Sequence, residues 1–192
     1  EPAGSLTFKK YDENNPQGTP ISEIETSVMS LTLRYAPKEQ FYQGKTYRTP
    51  MYNGYPILSL RFDYAEEGFL NSDYSYRAIT ANVFKRVFIA PIGYGDIELE
   101  AGKVFGKVPY PLLEIHRANQ TYSYQLQSYN LMNFLEFVSD EYFSVFYSHY
   151  FQGFFFNKIP LLKKLKWREV ATFKLLYGRI SDQNNPAKNG GL

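Results

Sequence analysis

Residues 56–66 constrain the fold more tightly than any other stretch. Leu58, Leu60, Phe62 and Tyr64 occupy one parity, and Ser59, Arg61 and Asp63 the other. Successive side chains of a strand point to opposite faces, so unbroken period-two alternation over this length predicts a strand with one apolar and one wet face. Two further stretches behave alike. Met29, Leu31, Leu33 and Tyr35 alternate with Ser30, Thr32 and Arg34 within a strand expected over 22–36. Within 94–105, Ile97, Leu99 and Ala101 alternate with Asp96, Glu98 and Glu100. Residues 74–89 are long and rich in β-formers but mixed in parity. Residues 167–179 set Ala171, Phe173, Leu175 and Tyr177 against Arg168, Thr172, Lys174 and Gly178.

The density of rings limits the choice of solvent. Tyr numbers 18 and Phe 16 against a single Trp, yet mean hydropathy is negative, so apolar residues are interleaved with polar ones. The stretch from Asn130 to Pro160 is the most aromatic. It reads as a hairpin with arms at roughly 131–138 and 142–156 joined at Ser139-Asp140-Glu141. A soluble protein has difficulty covering so many rings, whereas a strand with one face in lipid does not need to. No run approaches the roughly 18 apolar residues of a spanning helix, and closed barrels are the other structure that satisfies every backbone group in lipid. The reading is all-β: an antiparallel transmembrane β-barrel of about eight strands, each within reach of the roughly 9–11 residues that a tilted strand needs.

Between the strands lie Pro-, Gly- and Asn-rich connections. They fall at 12–20, 37–54, 66–73 and 181–192, with a short strand over 5–11 and a helical turn after Pro160. The longest connection, 106–130, carries two prolines and a Tyr-rich polar tract, and is expected to fold inward and plug the lumen. No domain boundary appears, so 1–192 reads as one barrel region. The chain begins Glu-Pro and ends in a loop without a terminal aromatic strand. It therefore reads as incomplete at both ends, about half of a barrel of about 16 strands.

Net charge is +2, which gives no reason to invoke nucleic acid. Without cysteine there are no thiolate sites, and the two histidines are far apart, so neither metal nor cofactor is expected. A hydrolytic site on the barrel needs a serine and a histidine together on one face of neighbouring strand positions. Ser148 and His149 are adjacent and point to opposite faces, and Ser144 and His149 also differ in parity. Ser139 shares parity with His149 but lies about 30 Å away along an extended strand. No catalytic residue is assigned. Asp140-Glu141 reads as a turn. Asp96, Glu98 and Glu100 read as partners for basic residues such as Arg34, Arg61 or Lys174, and Lys163, Lys164, Lys166 and Arg168 read equally as a lipid-phosphate contact or a solvated face.

The tracts Pro109-Tyr110, Leu131-Met132, Glu136-Phe137, Ser139-Asp140, Gly153, Ile159 to Leu162 and Trp167 to Val170, with RYAPKEQF (34–41) and YPILSLRF (55–62), carry a resemblance over most of 30–180. The chain resembles the C-terminal barrel of outer-membrane proteins of Bacteroidetes-type, Gram-negative bacteria that carry a carboxypeptidase-regulatory-like sandwich ahead of it. More distantly it is similar to the surface-antigen superfamily that includes the barrel-assembly protein. There a long inward loop precedes strands like FLEFVSD and YFSVFYSHYFQG. The superfamily's Val-Arg-Gly-Phe/Tyr tetrapeptide is absent, and His116-Arg117-Ala118-Asn119 is the nearest candidate.

The resemblance implies a bacterial outer-membrane location and a structural, transport or outer-membrane protein assembly or export role. The partners implied are outer-membrane lipid and other outer-membrane or secreted proteins. His116, Arg117 and Asn119 become inward-loop candidates. Arg34, Arg61, Asp63, Asp96, Glu98 and Glu100 are the lumen-facing candidates. Leu31, Leu33, Leu60, Phe62, Tyr64, Ile97, Leu99, Phe173 and Leu175 are the lipid-facing ones. The competing reading is a soluble extracytoplasmic β-sandwich or small barrel that binds a ligand through its aromatics.

Overall fold

A computed structural model describes residues 8–12, 15–21, 24–119 and 125–185. Alternating sequence gives strands where it is cleanest. Six strands form one antiparallel sheet: β1 (Val28–Tyr35), β2 (Ile57–Ala65), β3 (Tyr76–Ile89), β4 (Gly93–Phe105), β5 (Glu141–Tyr150) and β6 (Val170–Arg179). They lie side by side in chain order, so the sheet is a meander. The fold class is all-β, and a short helix, α1 (Pro160–Leu165), follows Pro160 as the sequence predicts. Among the described residues the sheet is open, with β1 and β6 as its edges.

Register decides which side chains share a face, because directly opposed residues project the same way. One row runs Leu33, Leu60, Ala81, Ala101, Phe143, Tyr177 across all six strands. The next runs Tyr35, Leu58, Val83, Leu99, Val145, Leu175. These rows make an apolar face six strands wide. The opposite face carries Ser30, Thr32 and Arg34 on β1, Ser59, Arg61 and Asp63 on β2, and Asn82 and Arg86 on β3. It continues with Asp96, Glu98 and Glu100 on β4, Ser144 and Ser148 on β5, and Thr172 and Lys174 on β6.

Four expectations need correction. The loop expected at 12–20 lies mostly in a hairpin, Phe8–Asp12 paired with Asn15–Ile21. The strand expected over 22–36 starts only at Val28. The connection 37–54 holds a small pairing of Phe41–Gln43 with Arg48–Pro50.

The largest correction concerns the aromatic hairpin. Residues 131–137 form turns, not an arm. Glu136 Oε2 accepts from the Asn133 backbone N–H at 2.7 Å, and Leu135 adopts a left-handed conformation at φ 62°. That local bond competes with a sheet ladder, and no β-branched residue in LMNFLEF opposes it. Only Val138–Ser139 is extended, and it pairs with Glu114–Ile115. β5 instead pairs with β4 and β6, and ends at Tyr150 rather than 156. The main sheet therefore has six strands, where eight spanning strands were expected.

Candidate functional site

The described parts of the connection between β4 and β5, residues 106–119 and 125–140, lie across the polar face of β4, β5 and β6. The chain leaves β4 at Gly106, whose φ of 112° suits glycine, and its backbone turns through Tyr110–Leu112. Val108, Leu113 and Val138 then pack into a small apolar core with Tyr76, Val104 and Ile180. Tyr110 donates its hydroxyl to the Leu135 carbonyl at 2.8 Å, which ties the two limbs of the segment together.

Side chains dock the middle of the segment strand by strand. Arg117 donates to Glu100 on β4 at 3.4 Å. Gln127 donates to Glu98 at 2.5 Å, and Asn82 on β3 donates to the other oxygen of Glu98 at 2.9 Å. The Tyr129 ring meets Phe146 on β5, with centroids 5.2 Å apart. Lys174 on β6 donates to the Ser128 carbonyl at 2.6 Å. Asn119 takes part through its backbone, donating to the Tyr129 carbonyl at 3.4 Å.

Each sequence candidate can now be placed. The nine apolar candidates, Leu31, Leu33, Leu60, Phe62, Tyr64, Ile97, Leu99, Phe173 and Leu175, all share the apolar face, and the six polar candidates share the other. The expected charge partners are different. Asp96 pairs with Arg86 at 2.6 Å and Arg61 with Asp63 at 2.9 Å, while Arg34 turns out of the sheet to Glu39 at 2.6 Å. Register explains this, because Arg86 stands directly opposite Asp96, whereas Arg61 lies two strands from β4 and Arg34 three.

Sequence reasoning missed two contacts at the β5 end of the segment. Asp140 is not a turn residue. It is buried, at 4 % exposure, and Glu141 already opens β5. The Asp140 carboxylate accepts the Ser181 backbone N–H at 3.0 Å, the Ser181 hydroxyl, and the Asn184 amide at 3.0 Å. Asn184 also donates to the Gly106 carbonyl at 3.2 Å and accepts from Val108 N–H at 3.1 Å. The beginning of the segment, its end and the chain leaving β6 thus meet at one carboxylate. Burial pushes that carboxyl up, but the bonds from Ser181 and Asn184 outweigh it and hold it below the ordinary aspartate range.

The second missed contact is His116 with Ser139. The imidazole Nε2 and Ser139 Oγ share a hydrogen bond of 2.9 Å, and both side chains are buried. Burial pushes the imidazole down, against a smaller upward pull from Glu100. A serine beside a neutral histidine invites a hydrolytic reading, but substrate needs room at the hydroxyl. Gly178 of β6 fills that room, and even a Cβ there would overlap Ser139 Oγ. The pair acts as a latch between the two limbs of the segment, packed against Gly178 of β6. His149, by contrast, shares the apolar face, with Nδ1 bonded to the Tyr147 hydroxyl and Nε2 to the Ile92 carbonyl. Among the described residues no group of three or more His, Asp or Glu is placed to hold a metal ion.

The chain belongs to a family of unknown function, DUF5686, whose C-terminal domain matches residues 5–184. No curated protein and no solved structure matches it. Membership therefore brings no activity with it, and the functional reading has to come from the two faces of the sheet.

Proposed function

We propose that the sheet is part of a transmembrane β-barrel in a bacterial outer membrane. Its apolar face meets lipid hydrocarbon, and its polar face lines a lumen occupied by the segment that starts at Gly106. The observation that carries this reading is an inverted pattern of burial. The buried apolar side chains among the described residues are Ala65, Val108, Leu113, Val138, Tyr142 and Phe146, all on the polar face or in the segment over it. On the apolar face Leu31 is 58 % exposed, Leu60 43 % and Phe173 56 %. A water-soluble sheet covers its apolar face and leaves the other wet. An exposed apolar area six strands wide calls for a partner or a membrane.

The dimensions of the apolar band agree with this reading. Arg77 and Lys85 flank Ile79, Ala81 and Val83 on β3, and Glu141 and His149 flank Phe143, Val145 and Tyr147 on β5. Each interval of eight residues runs about 27 Å along a strand, or about 20 Å in height at a tilt of about 40°, against an outer-membrane band of about 25 Å. The upper flank also moves along the register, from the row of Arg77 on β3 to that of Lys103, Glu141 and Arg179 on β4 to β6. Tilted strands require such a displacement. In lipid the free edges of β1 and β6 need hydrogen-bonding partners, so the proposal includes further strands that close a barrel of about 16.

An occupied lumen suits a structural, transport or outer-membrane protein assembly or export role better than an open pore. Arg117 on Glu100 fits the inward-loop arginine of the surface-antigen superfamily, although the surrounding tetrapeptide differs. Partners of such a barrel are outer-membrane lipid and other outer-membrane or secreted proteins. The test is fractionation of the full-length protein in a Gram-negative host. It should remain in the membrane pellet after alkaline carbonate and change its gel mobility on boiling. A monodisperse soluble protein would overturn the reading and restore the ligand-binding sandwich.

A further inference from the structure

The connection between β5 and β6 combines a dense run of cations with exposed apolar side chains, the tryptophan among them. Residues 158–169, KIPLLKKLKWRE, carry Lys158, Lys163, Lys164, Lys166 and Arg168 against one acid, Glu169. Glu169 is used internally, since its Oε1 accepts the Phe156 backbone N–H and fixes the turn that leads away from β5. None of the five cations is in an ion pair among the described residues. Pro160 starts α1, Lys163 and Lys164 sit in its last turn, where the helix dipole favours them, and Lys166 ends it with a left-handed residue at φ 53°. Leu161 and Leu165, one helical turn apart, are 72 % and 50 % exposed, and Trp167 follows at 57 %.

A charged loop of this kind can simply be solvated. Two observations separate this one from that case. Water gives no reason for Ile159, Leu161, Leu165 and Trp167 to lie exposed among the charges, whereas an interface between hydrocarbon and anionic headgroups accommodates both. The segment is also continuous with the apolar face. Tyr147 and His149 of that face touch ring to ring, His149 meets Phe151 at 4.3 Å, Phe151 meets Phe155 at 5.2 Å, and Phe155 meets Phe154 at 5.0 Å. Lys158 Nζ sits 4.0 Å from the Phe154 ring centre. This ladder of rings leads from the side of the sheet assigned to lipid out to the first of the five cations.

We infer that residues 158–168 are a docking element for anionic phospholipid headgroups, with Leu161, Leu165 and Trp167 dipping into the acyl boundary while Lys163, Lys164, Lys166 and Arg168 meet phosphates. The inference rests on the barrel reading above and adds a lipid preference at one end of it. Trp167 is the only tryptophan among the 192 residues, and its own signal is read as the difference between the protein and its Trp167→Phe variant.

The experiment reconstitutes the folded protein in vesicles of phosphatidylcholine, or of phosphatidylcholine mixed with phosphatidylglycerol. It then measures Trp167 emission, quenching by aqueous acrylamide and quenching by lipid brominated in its chains. In the anionic mixture the emission should shift to the blue, acrylamide access should fall and brominated lipid should quench. Replacing Lys163, Lys164, Lys166 and Arg168 by Gln should remove that preference, each lost cation weakening it by roughly fivefold, with heat-modifiable mobility unchanged. An inserted protein whose Trp167 reads the same in both bilayers, or stays in water in both, overturns this inference alone. A chain that inserts in neither overturns the barrel reading together with it.

Discussion

Leu60 and Arg61 are neighbours in the chain and belong to two different environments. Leu60 stands in a row of apolar side chains that crosses six strands, and it is 43 % exposed. Arg61 stands on a face where charged and polar groups bond one another or the segment above them. The two faces differ in what completes them. The polar face is completed by the chain itself, through Arg86–Asp96, Arg61–Asp63, Arg117–Glu100 and the Gln127 and Lys174 contacts. The apolar face is left to the surroundings. Burial taken by residue type would score this sheet as poorly packed, whereas burial taken by face says which solvent each side is built for.

Substitutions on adjacent residues give the sharpest way to break that contrast. Phe62→Arg should cost about 2–4 kcal/mol in a bilayer if the position lies near mid-membrane. Arg61→Leu, one residue away, should stay within about 1 kcal/mol, because it gives up only an exposed pair. Urea titration of both variants folded into lipid vesicles measures the difference, and equal losses would abolish the distinction between the faces.

Asp140→Ala sharpens the account of the polar side. It leaves the Ser181 N–H, the Ser181 hydroxyl and the Asn184 amide without their acceptor, so a loss of about 2–3 kcal/mol is expected in the same titration, together with new protease cleavage near Gly106 and Ser181. Stability unchanged by this substitution would mean that the segment is not held at its ends.

A smaller effect comes from pH. The folded value of His116 lies below its unfolded value of about 6.5. The stability it contributes is therefore complete above that pH and is lost as pH falls through the folded value. Protection factors of the Glu114 to Arg117 amides, corrected for the intrinsic slowing of exchange in acid, should fall on mild acidification by a margin worth less than about 1 kcal/mol, and His116→Gln should flatten the response.

The strands were legible in the sequence wherever alternation was clean, as at Leu58 to Tyr64 and Ile97 to Ala101, because period two is local. Face membership followed from the same pattern. The aromatic stretch from Asn130 misled because ring density carries no period, and one bond from Glu136 to the Asn133 N–H outweighed it. Register and ion partners were out of reach for a different reason. Arg86 and Asp96 are ten residues apart, yet only the turn at Ile89–Gly93 fixes their pairing. The Asp140 cluster joins Ser181 and Asn184 to a carboxylate 41 and 44 residues away, and no local signal announces it. The long connection was legible as a connection from its length and its prolines, but its latch, His116 on Ser139, depends on a two-residue strand, Val138–Ser139, hidden within the expected aromatic arm.

The way the segment is fastened has a mechanical consequence. It is not a stopper that can be drawn out whole. At one end Glu114–Ile115 is woven to Val138–Ser139, and Asp140 is stitched into both neighbouring strands through the Arg179 carbonyl and the Val104 N–H. Pulling either end free would unzip β4 from β5 or β5 from β6. The described residues between these ends reach the sheet through side-chain contacts such as Arg117 to Glu100 and Lys174 to the Ser128 carbonyl. In the proposed barrel, a widening of the lumen that keeps the wall intact leaves both of these seams fastened.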